Sequence, residues 1–173
     1  MTRWLWVLSL WAMGCGSASP AADAGAEAAV YALSMRPVGG GGGDDGGVEL
    51  RQGFQGFRYT RVVLVAEGDA PAQTPGVARL EIEGFDPAEQ RFRSIALQPL
   101  ARGYFESEPL LVYANDVTLA RAVGRRATLR FVLDDGRHRA TATREGPVRW
   151  DPHCVEDADF RCLPPSALDG GAP

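Results

Sequence analysis

The sequence predicts an all-β fold, an antiparallel β-sandwich with at most one short helix near residues 116–123. Ala78–Glu83 alternates strictly between apolar and charged side chains, which is typical of a strand with one face in a core and the other in water. Arg61–Ala66 is instead a run of mostly branched apolar residues, which favours a central strand covered on both faces. Short segments of both kinds, separated by Gly, Pro and Asp turns, indicate two packed sheets.

Further strands are predicted on either side of these two. Phe92–Leu97 alternates less regularly, and Leu110–Ala114 is an apolar run that begins directly after Pro109, a residue tolerated at the start of a strand. Residues 30–38 form a short apolar patch that is a possible first strand. We therefore expect a sandwich of immunoglobulin-like or similar type over residues 48–150.

The strongest local signal is a hairpin centred on Asp135-Gly136, a dipeptide that tolerates the positive φ angles of a type I′ turn. With these two residues as the turn, Asp134 pairs with Arg137, and counting outward gives every other pair. The inward pairs then match large with small side chains and are Leu133–His138, Phe131–Ala140 and Leu129–Ala142. The outward pairs include opposite charges and two threonines and are Arg126–Glu145, Thr128–Thr143 and Arg130–Thr141, each stabilising by a few tenths of a kcal/mol or so.

One short helix is predicted over Asp116–Val123. Asp116 is a suitable N-cap because its carboxylate can accept a hydrogen bond from a backbone N–H of the first turn. Gly124 follows the last helical residue, where a glycine commonly ends a helix in the left-handed conformation.

Residues 1–14 have the features of a signal peptide. Arg3 provides a positive charge, and Trp4–Met13 are then apolar except for Ser9, a stretch too short for a membrane-spanning helix, which needs about 20 residues. The sequence Ala12-Met13-Gly14-Cys15 resembles the lipobox of bacterial lipoproteins. This resemblance implies that Cys15 is acylated and becomes the new N-terminus. The small residues at positions 12 and 14 also suit an ordinary cleavage site, so a soluble secreted protein is the alternative.

The number of cysteines favours the lipoprotein. The chain has three, Cys15, Cys154 and Cys162, and in an oxidising compartment an odd cysteine needs an explanation. If Cys15 carries lipid, Cys154 and Cys162 can form a disulfide. The alternatives are free thiols, or a zinc site in which His153 and a carboxylate join the two cysteines, although their spacing matches no known zinc pattern.

The exported part is divided by its composition. Residues 15–47 are rich in Ala, Gly and Ser and predict a flexible tether, because they can bury little apolar surface. Residues 151–162 are expected to form a disulfide-closed loop and residues 163–173 a disordered tail. Removal of residues 1–14 leaves 159 residues, enough for one ordinary domain. The residue after Cys15 is Gly16 and not Asp, which resembles the pattern that sorts bacterial lipoproteins to the outer membrane. This pattern does not say whether the protein faces the periplasm or the cell surface.

The charge distribution indicates one possible binding face. All basic residues are arginine, and the formal net charge of −4 gives no electrostatic case for a nucleic-acid partner. Residues 121–149, however, hold 8 arginines against 3 acids. The hairpin arginines Arg126, Arg130, Arg137 and Arg139 are therefore a candidate face for an anionic glycan, a lipid head group or an acidic envelope protein. The alternative is a solvated strand face with local ion pairs.

The chemistry that enzymes usually need is sparse. His138 lies next to the predicted turn, His153 lies beside Cys154, and the chain has no lysine and no G-x-S-x-G motif. Glutamates two residues apart, at 81/83 and 106/108, are typical of solvated strand faces. We therefore predict no catalytic residue, no metal ligand and no cofactor.

These observations together predict a function class and an address. The expected protein is a membrane-anchored lipoprotein of the cell envelope whose single β domain is a non-catalytic binding or assembly module. Its partners would be the membrane, through the N-terminal lipid, and an envelope protein or anionic glycan. A carboxylate-based glycan hydrolase and a purely structural envelope lipoprotein are the two alternatives.

Overall fold

The fold is mostly β, as predicted, in a computed structural model that describes residues 27–28, 31–38, 46–114 and 116–163. Within these residues one short helix, α1 (Leu119–Ala122), accompanies the strands. No helix in this part of the chain is long and apolar enough to cross a membrane. The strands are β1 (Glu27–Ala28), β2 (Tyr31–Pro37), β3 (Val48–Glu49), β4 (Arg51–Gly53), β5 (Arg58–Gly68), β6 (Gln73–Ile82), β7 (Ala88–Ala101), β8 (Tyr104–Ser107), β9 (Leu110–Tyr113), β10 (Arg126–Asp134), β11 (His138–Arg149), β12 (Val155–Glu156) and β13 (Cys162–Leu163).

The strands join into one curled, mixed sheet that forms a half-barrel. The longer strands pair antiparallel, in the order β11-β10-β6-β7-β8-β5. The parallel pairs all involve two-residue strands, because β1 and β3 pair with β11 and β12 pairs with β4. The predicted sandwich and a purely antiparallel sheet are therefore not confirmed. β7 pairs with β6 along its first part and with β8 along its last, so a single sheet bends around the core.

The core lies on the face of the sheet that the alternation predicted. On β6, Leu80 and Ile82 are buried and Arg79 and Glu81 are exposed. On β10, alternate residues from Ala127 to Leu133 are at most 1% exposed. Since successive side chains of a strand point to opposite faces, this pattern follows directly from the sequence.

β5 is the central strand of its half of the sheet. It is flanked by β2 and β4 on one side and by β8 and β9 on the other. Val62, Leu64 and Ala66 are at most 1% exposed on the core face. Val63, on the opposite face, is 3% exposed, so the strand is covered on both faces, as predicted. Tyr59 lies on that second face, where the candidate site is built.

The β10–β11 hairpin has the predicted faces and a different register. Asp134 is opposite Arg139 rather than Arg137, and Leu133 is opposite Ala140 rather than His138. Every predicted pair is therefore wrong by two residues, and the three residues 135–137 join β10 to β11. The Asp135 carboxylate causes this longer loop, since it accepts hydrogen bonds from the backbone N–H groups of Arg137 at 2.8 Å and His138 at 2.7 Å.

A shift of two residues keeps every side chain on its own face. Most side chains predicted to face inward on β10 and β11 are accordingly buried, namely Leu129, Phe131, Leu133, Ala140 and Ala142. His138, predicted to face inward as well, is only half-buried. Arg126 and Glu145, predicted as a directly opposed pair, are diagonal neighbours instead. They still form an ion pair, with Arg126 Nη2 2.9 Å from Glu145 Oε2.

The short helix lies within the predicted range, but its predicted cap is wrong. α1 is preceded by Thr118 as the N-cap residue, without a side-chain capping bond, and not by Asp116. Gly124 has a φ of 77° just beyond the helix, as expected for a glycine that ends one.

The segments around the central domain contribute more strands than predicted. The possible strand at 30–38 is present as β2, which pairs with β5, so part of the predicted tether belongs to the sheet. The predicted C-terminal loop contains β12 and β13, which pair with each other and, through β12, with β4. Leu163, predicted to start the tail, ends β13. The segment predicted as a signal peptide (residues 1–14), Cys15 and residues 164–173 lie outside the described residues.

Candidate binding pocket

Aromatic side chains from three separate parts of the chain line a pocket of about 190 Å³ on the outer face of β5. Phe54 and Phe57 come from the β4–β5 turn, where they are 55% and 47% exposed. Tyr113 ends β9, and Phe160 lies between β12 and β13; both are 39% exposed. Tyr59 on β5 is 4% exposed. Where large apolar side chains are concentrated in this way on the surface of a protein, they usually mark an interaction site.

The rings are arranged nearly at right angles to one another. Phe57 and Tyr113 have ring centroids 6.1 Å apart and planes inclined by 69°. Tyr59 contacts Tyr113 at 6.1 Å and 71°, and it contacts Phe160 at 6.3 Å and 83°. Edge-to-face contacts of this kind are favoured by the aromatic quadrupole. The rings therefore form a connected set of walls rather than a flat patch.

Backbone hydrogen bonds within the β4–β5 turn hold its two phenylalanines at the surface. The Gly53 N–H donates to the Phe57 carbonyl at 2.9 Å, and the Gly56 N–H donates to the Gly53 carbonyl at 2.8 Å. Gly56 has a φ of 80°, which a residue with a side chain rarely adopts. The Phe54 N–H donates to the Glu156 carbonyl at 2.9 Å, which attaches the turn to the C-terminal segment.

A buried carboxylate lies beneath the pocket. The Glu156 side chain is 0% exposed; its Oε1 accepts from Arg51, and its Oε2 accepts from the Tyr59 hydroxyl at 2.7 Å. Arg61 Nη1 is 4.0 Å from the same Oε2, and the side chains of Arg51 and Arg61 are each 10% exposed. Burial and the hydrogen bond to Glu156 raise the pKa of Tyr59 above its usual value, so the phenol stays a donor. Both oxygens of the Glu156 carboxylate are thus paired, as a buried charge requires, whereas Arg61 Nε is buried without a hydrogen-bond partner.

Phe160 is held in place by its own loop. Cys154 and Cys162 form the predicted disulfide, with Cα atoms 4.8 Å apart. Within the loop, Asp157 Oδ1 accepts from the N–H groups of Asp159 and Arg161, each at 2.9 Å. Phe160 has a φ of 61°, a left-handed conformation that is uncommon for a residue with a side chain. Such strain is retained where the surrounding structure fixes it, and often at functional sites.

The four arginines predicted as a binding face are all exposed, but they do not form one patch. Arg126 begins β10, whereas Arg139 lies opposite Asp134 at the other end of the same strand pair and Arg137 lies in the connecting loop. The separation along β10 is roughly 26 Å at 3.3 Å per residue. Their contact with an anionic glycan, lipid head group or acidic protein stays a prediction.

Acids balance part of the charge of this face and of the neighbouring strand β6. Arg130 is opposite Arg79 on β6, Arg79 pairs with Glu81 at 2.6 Å, and Arg126 pairs with Glu145. A wider depression of about 470 Å³ lies at the Arg126 end and is lined by acids and bases alike. Local ion pairs of this kind are what the alternative interpretation, a solvated strand face, expects.

The histidines have local partners. His138 Nδ1 is 3.4 Å from Asp135 Oδ2 in the hairpin loop. The backbone N–H groups of His138 and Arg137 that bond to Asp135 lower the pKa of this carboxyl group. The backbone N–H of His153 donates to Asp151 Oδ1 at 2.9 Å. Within the described residues, no three His, Cys, Asp or Glu side chains are grouped as metal ligands.

Sequence reasoning missed the aromatic pocket. One signal was present, in Gly53-Phe54-Gln55-Gly56-Phe57, because two phenylalanines in a glycine turn are unusual where loops are normally polar. The other rings lie more than fifty positions further along the chain or inside a strand. Their meeting depends on the pairing of β5 with β9 and on the fold of the C-terminal segment.

Comparison with known proteins adds no family to this description. No protein-family model matches the chain, and no curated protein or solved structure is significantly similar to it. The function therefore has to be inferred from the geometry of the site and from the N-terminal sequence.

Proposed function

We propose that the protein is a lipid-anchored, non-catalytic binding module of the bacterial cell envelope, with the aromatic pocket as its binding site. The observation that carries the proposal is a set of exposed rings held in a fixed arrangement by buried groups. Pockets for small ligands are typically apolar and aromatic, with a few placed polar atoms. Ordering the site before the ligand arrives lowers the entropy cost of binding.

The carboxylates at the pocket support binding more than glycan hydrolysis. A carboxylate-based hydrolase needs one acid and one base or nucleophile, either about 5 Å or about 6.5–9.5 Å apart across a cleft. The two acids that line this pocket are Glu156 and Asp157, which are adjacent in sequence. Both oxygens of Glu156 are bonded to Arg51 and Tyr59, and Asp157 Oδ1 fixes the loop backbone. Their hydrogen bonds give both acids structural roles.

The anchor in this proposal is the lipid on Cys15, with the outer membrane as the expected location. One acyl chain holds a protein only marginally, whereas two or more make membrane attachment stable. The Cys15→Ala variant is therefore expected to move from the membrane fraction to a precursor or a soluble form. Fractionation of cells followed by intact-mass analysis measures this. An unmodified Cys15 in the mature wild-type protein would contradict the anchor.

A photo-crosslinking residue at position 57 is expected to capture a ligand or partner in cells. p-Benzoylphenylalanine replaces Phe57 conservatively at the rim of the pocket, and the adduct is detected by mass shift. The matched control is the same residue at position 100, since Leu100 is 65% exposed on the β7–β8 hairpin, away from the pocket. An adduct at 57 and not at 100 supports the binding module. Equal labelling at both positions, or none, would favour the purely structural lipoprotein.

A further inference from the structure

We propose that the aromatic pocket binds an organic cation, specifically a quaternary ammonium group. This inference rests on the proposed binding function and adds the chemical class of the ligand. Three features of the pocket point to it: the perpendicular rings, the sign of the charge at its mouth, and the engagement of its hydrogen-bonding atoms.

The rings supply the attraction. The face of an aromatic ring carries negative electrostatic potential, so a cation within about 6 Å of the ring centroid is stabilised. Phe57, Tyr113, Tyr59 and Phe160 are linked by near-perpendicular contacts of 69–83°. Rings inclined in this way direct their faces to more than one side of an enclosed group. The Phe160 ring already accepts a cation on one side, because the Arg61 guanidinium carbon lies 4.8 Å from its centroid, so a ligand cation would rely on the other rings and on the remaining side of Phe160.

The charge at the mouth has the matching sign. Among the residues that line the pocket, Glu156 and Asp157 are acidic and none is basic. The charge of Glu156 is balanced by Arg51 and Arg61, which lie beneath the pocket and also pair with Glu49 through Arg51. Asp157 is therefore the lining acid that these arginines do not balance. The segment that carries Phe160 also holds the exposed Asp159 and the single base Arg161, so residues 157–161 have two acids against one base. A cation therefore enters a site of favourable local charge.

The engagement of the Glu156 carboxylate and of Asp157 Oδ1 favours an alkylated cation. Ammonium and guanidinium groups carry N–H donors that need acceptors when they leave water. Both oxygens of Glu156 already accept from Tyr59 and Arg51, and Asp157 Oδ1 accepts two backbone N–H groups. A quaternary ammonium group has no N–H donor, so the lack of an acceptor in the pocket costs it no hydrogen bond. The space also suits it, since a cavity of about 150 Å³ holds a benzene molecule and this pocket measures about 190 Å³.

The test is a titration of the exported protein, purified from membranes in a non-ionic detergent, with choline. Its neutral isostere 3,3-dimethylbutan-1-ol serves as the comparison, and NMR shifts of the aromatic side chains report binding. Choline is expected to bind at least tenfold more tightly than the isostere, which corresponds to about 1.4 kcal/mol, within the range of desolvated cation–π interactions. Equal affinities would overturn the cation proposal and leave an apolar pocket.

Variants locate the binding. Phe57→Leu and Tyr113→Leu are each expected to weaken choline binding about tenfold while the unfolding transition confirms that the chain is folded. Tyr104→Leu is the matched control, because Tyr104 is an aromatic residue of similar exposure (41%) outside the pocket, and it should bind choline like the wild type. Loss of binding in Tyr104→Leu alone would also overturn the proposal.

Two sources of the cation are distinguished by vesicles. If the protein is retained on vesicles containing phosphatidylcholine but not on vesicles of phosphatidylglycerol alone, and free choline releases it, the ligand is a lipid head group. If both kinds of vesicle retain the protein equally and choline still binds in solution, the ligand is a free small molecule. Absence of choline binding, together with a specific crosslink at position 57, would overturn the cation class and leave the binding module intact. Absence of both would overturn the binding module as well.

Discussion

Replacing Glu156 by glutamine is expected to lower the free energy of unfolding by about 3 kcal/mol, the lower end of the range for removing one partner of a buried ion pair. The carboxylate is 0% exposed and lies against two arginines that are 10% exposed. Glutamine keeps the size of the side chain and an acceptor for the Tyr59 hydroxyl. The measured loss of stability therefore reports the effect of the negative charge. Arg51 retains Glu49 at 2.6 Å, whereas Arg61 keeps chiefly its contact with Phe160.

Urea denaturation measures this change, as a lower midpoint with an unchanged slope. Asp159→Asn is the matched control, because it removes an exposed carboxylate from the same segment and should stay within about 0.5 kcal/mol of the wild type. Arg61→Met added to Glu156→Gln should recover part of the loss, since the unmatched charge is then removed. A loss below about 1 kcal/mol for Glu156→Gln would show that water reaches the cluster.

Phe131→Ala is expected to cost about 3–5 kcal/mol of folding free energy. Phe131 is 0% exposed in the middle of β10, and its ring centroid is 5.9 Å from that of Phe92 on β7. Its strand neighbours on the core face are Ala78 and Ala142, which are too small to fill the space that the ring leaves. A cavity therefore remains, and its lining loses dispersion contacts.

Thermal unfolding should show this as a fall in Tm on the order of 10 °C for a domain of this size. Arg130→Ala is the comparison on the same strand, because Arg130 points to the exposed face and its removal should change the free energy of unfolding by no more than about 0.5 kcal/mol. If both variants lost similar stability, the assignment of the inward face of β10 would be wrong.

Much of the candidate site was beyond sequence reasoning because its members are dispersed. Glu156 meets Tyr59 and Arg51 across separations of 97 and 105 residues. In the sequence it belongs to a polar stretch, Glu156-Asp157-Ala158-Asp159, in which nothing distinguishes a buried carboxylate from solvated ones. The arginine face was predicted instead because charge can be counted along a chain, whereas the meeting of these distant side chains depends on which strands pair.

Sequence patterns were sufficient to predict the strand-rich class, the inward faces of β6 and β10 and the place of the short helix, and they favoured the pairing of Cys154 with Cys162. These features follow from local chemistry, because a period of two fixes a strand's faces and two nearby cysteines can close a loop. Contacts between distant or looped parts of the chain set the hairpin register, the single curled sheet and the pocket. A register shift of two preserves every face, so the hydrophobic pattern did not resolve it and the Asp135 hydrogen bonds did. The aromatic rings meet only because distant strands pair, and no local pattern specifies which strands those are.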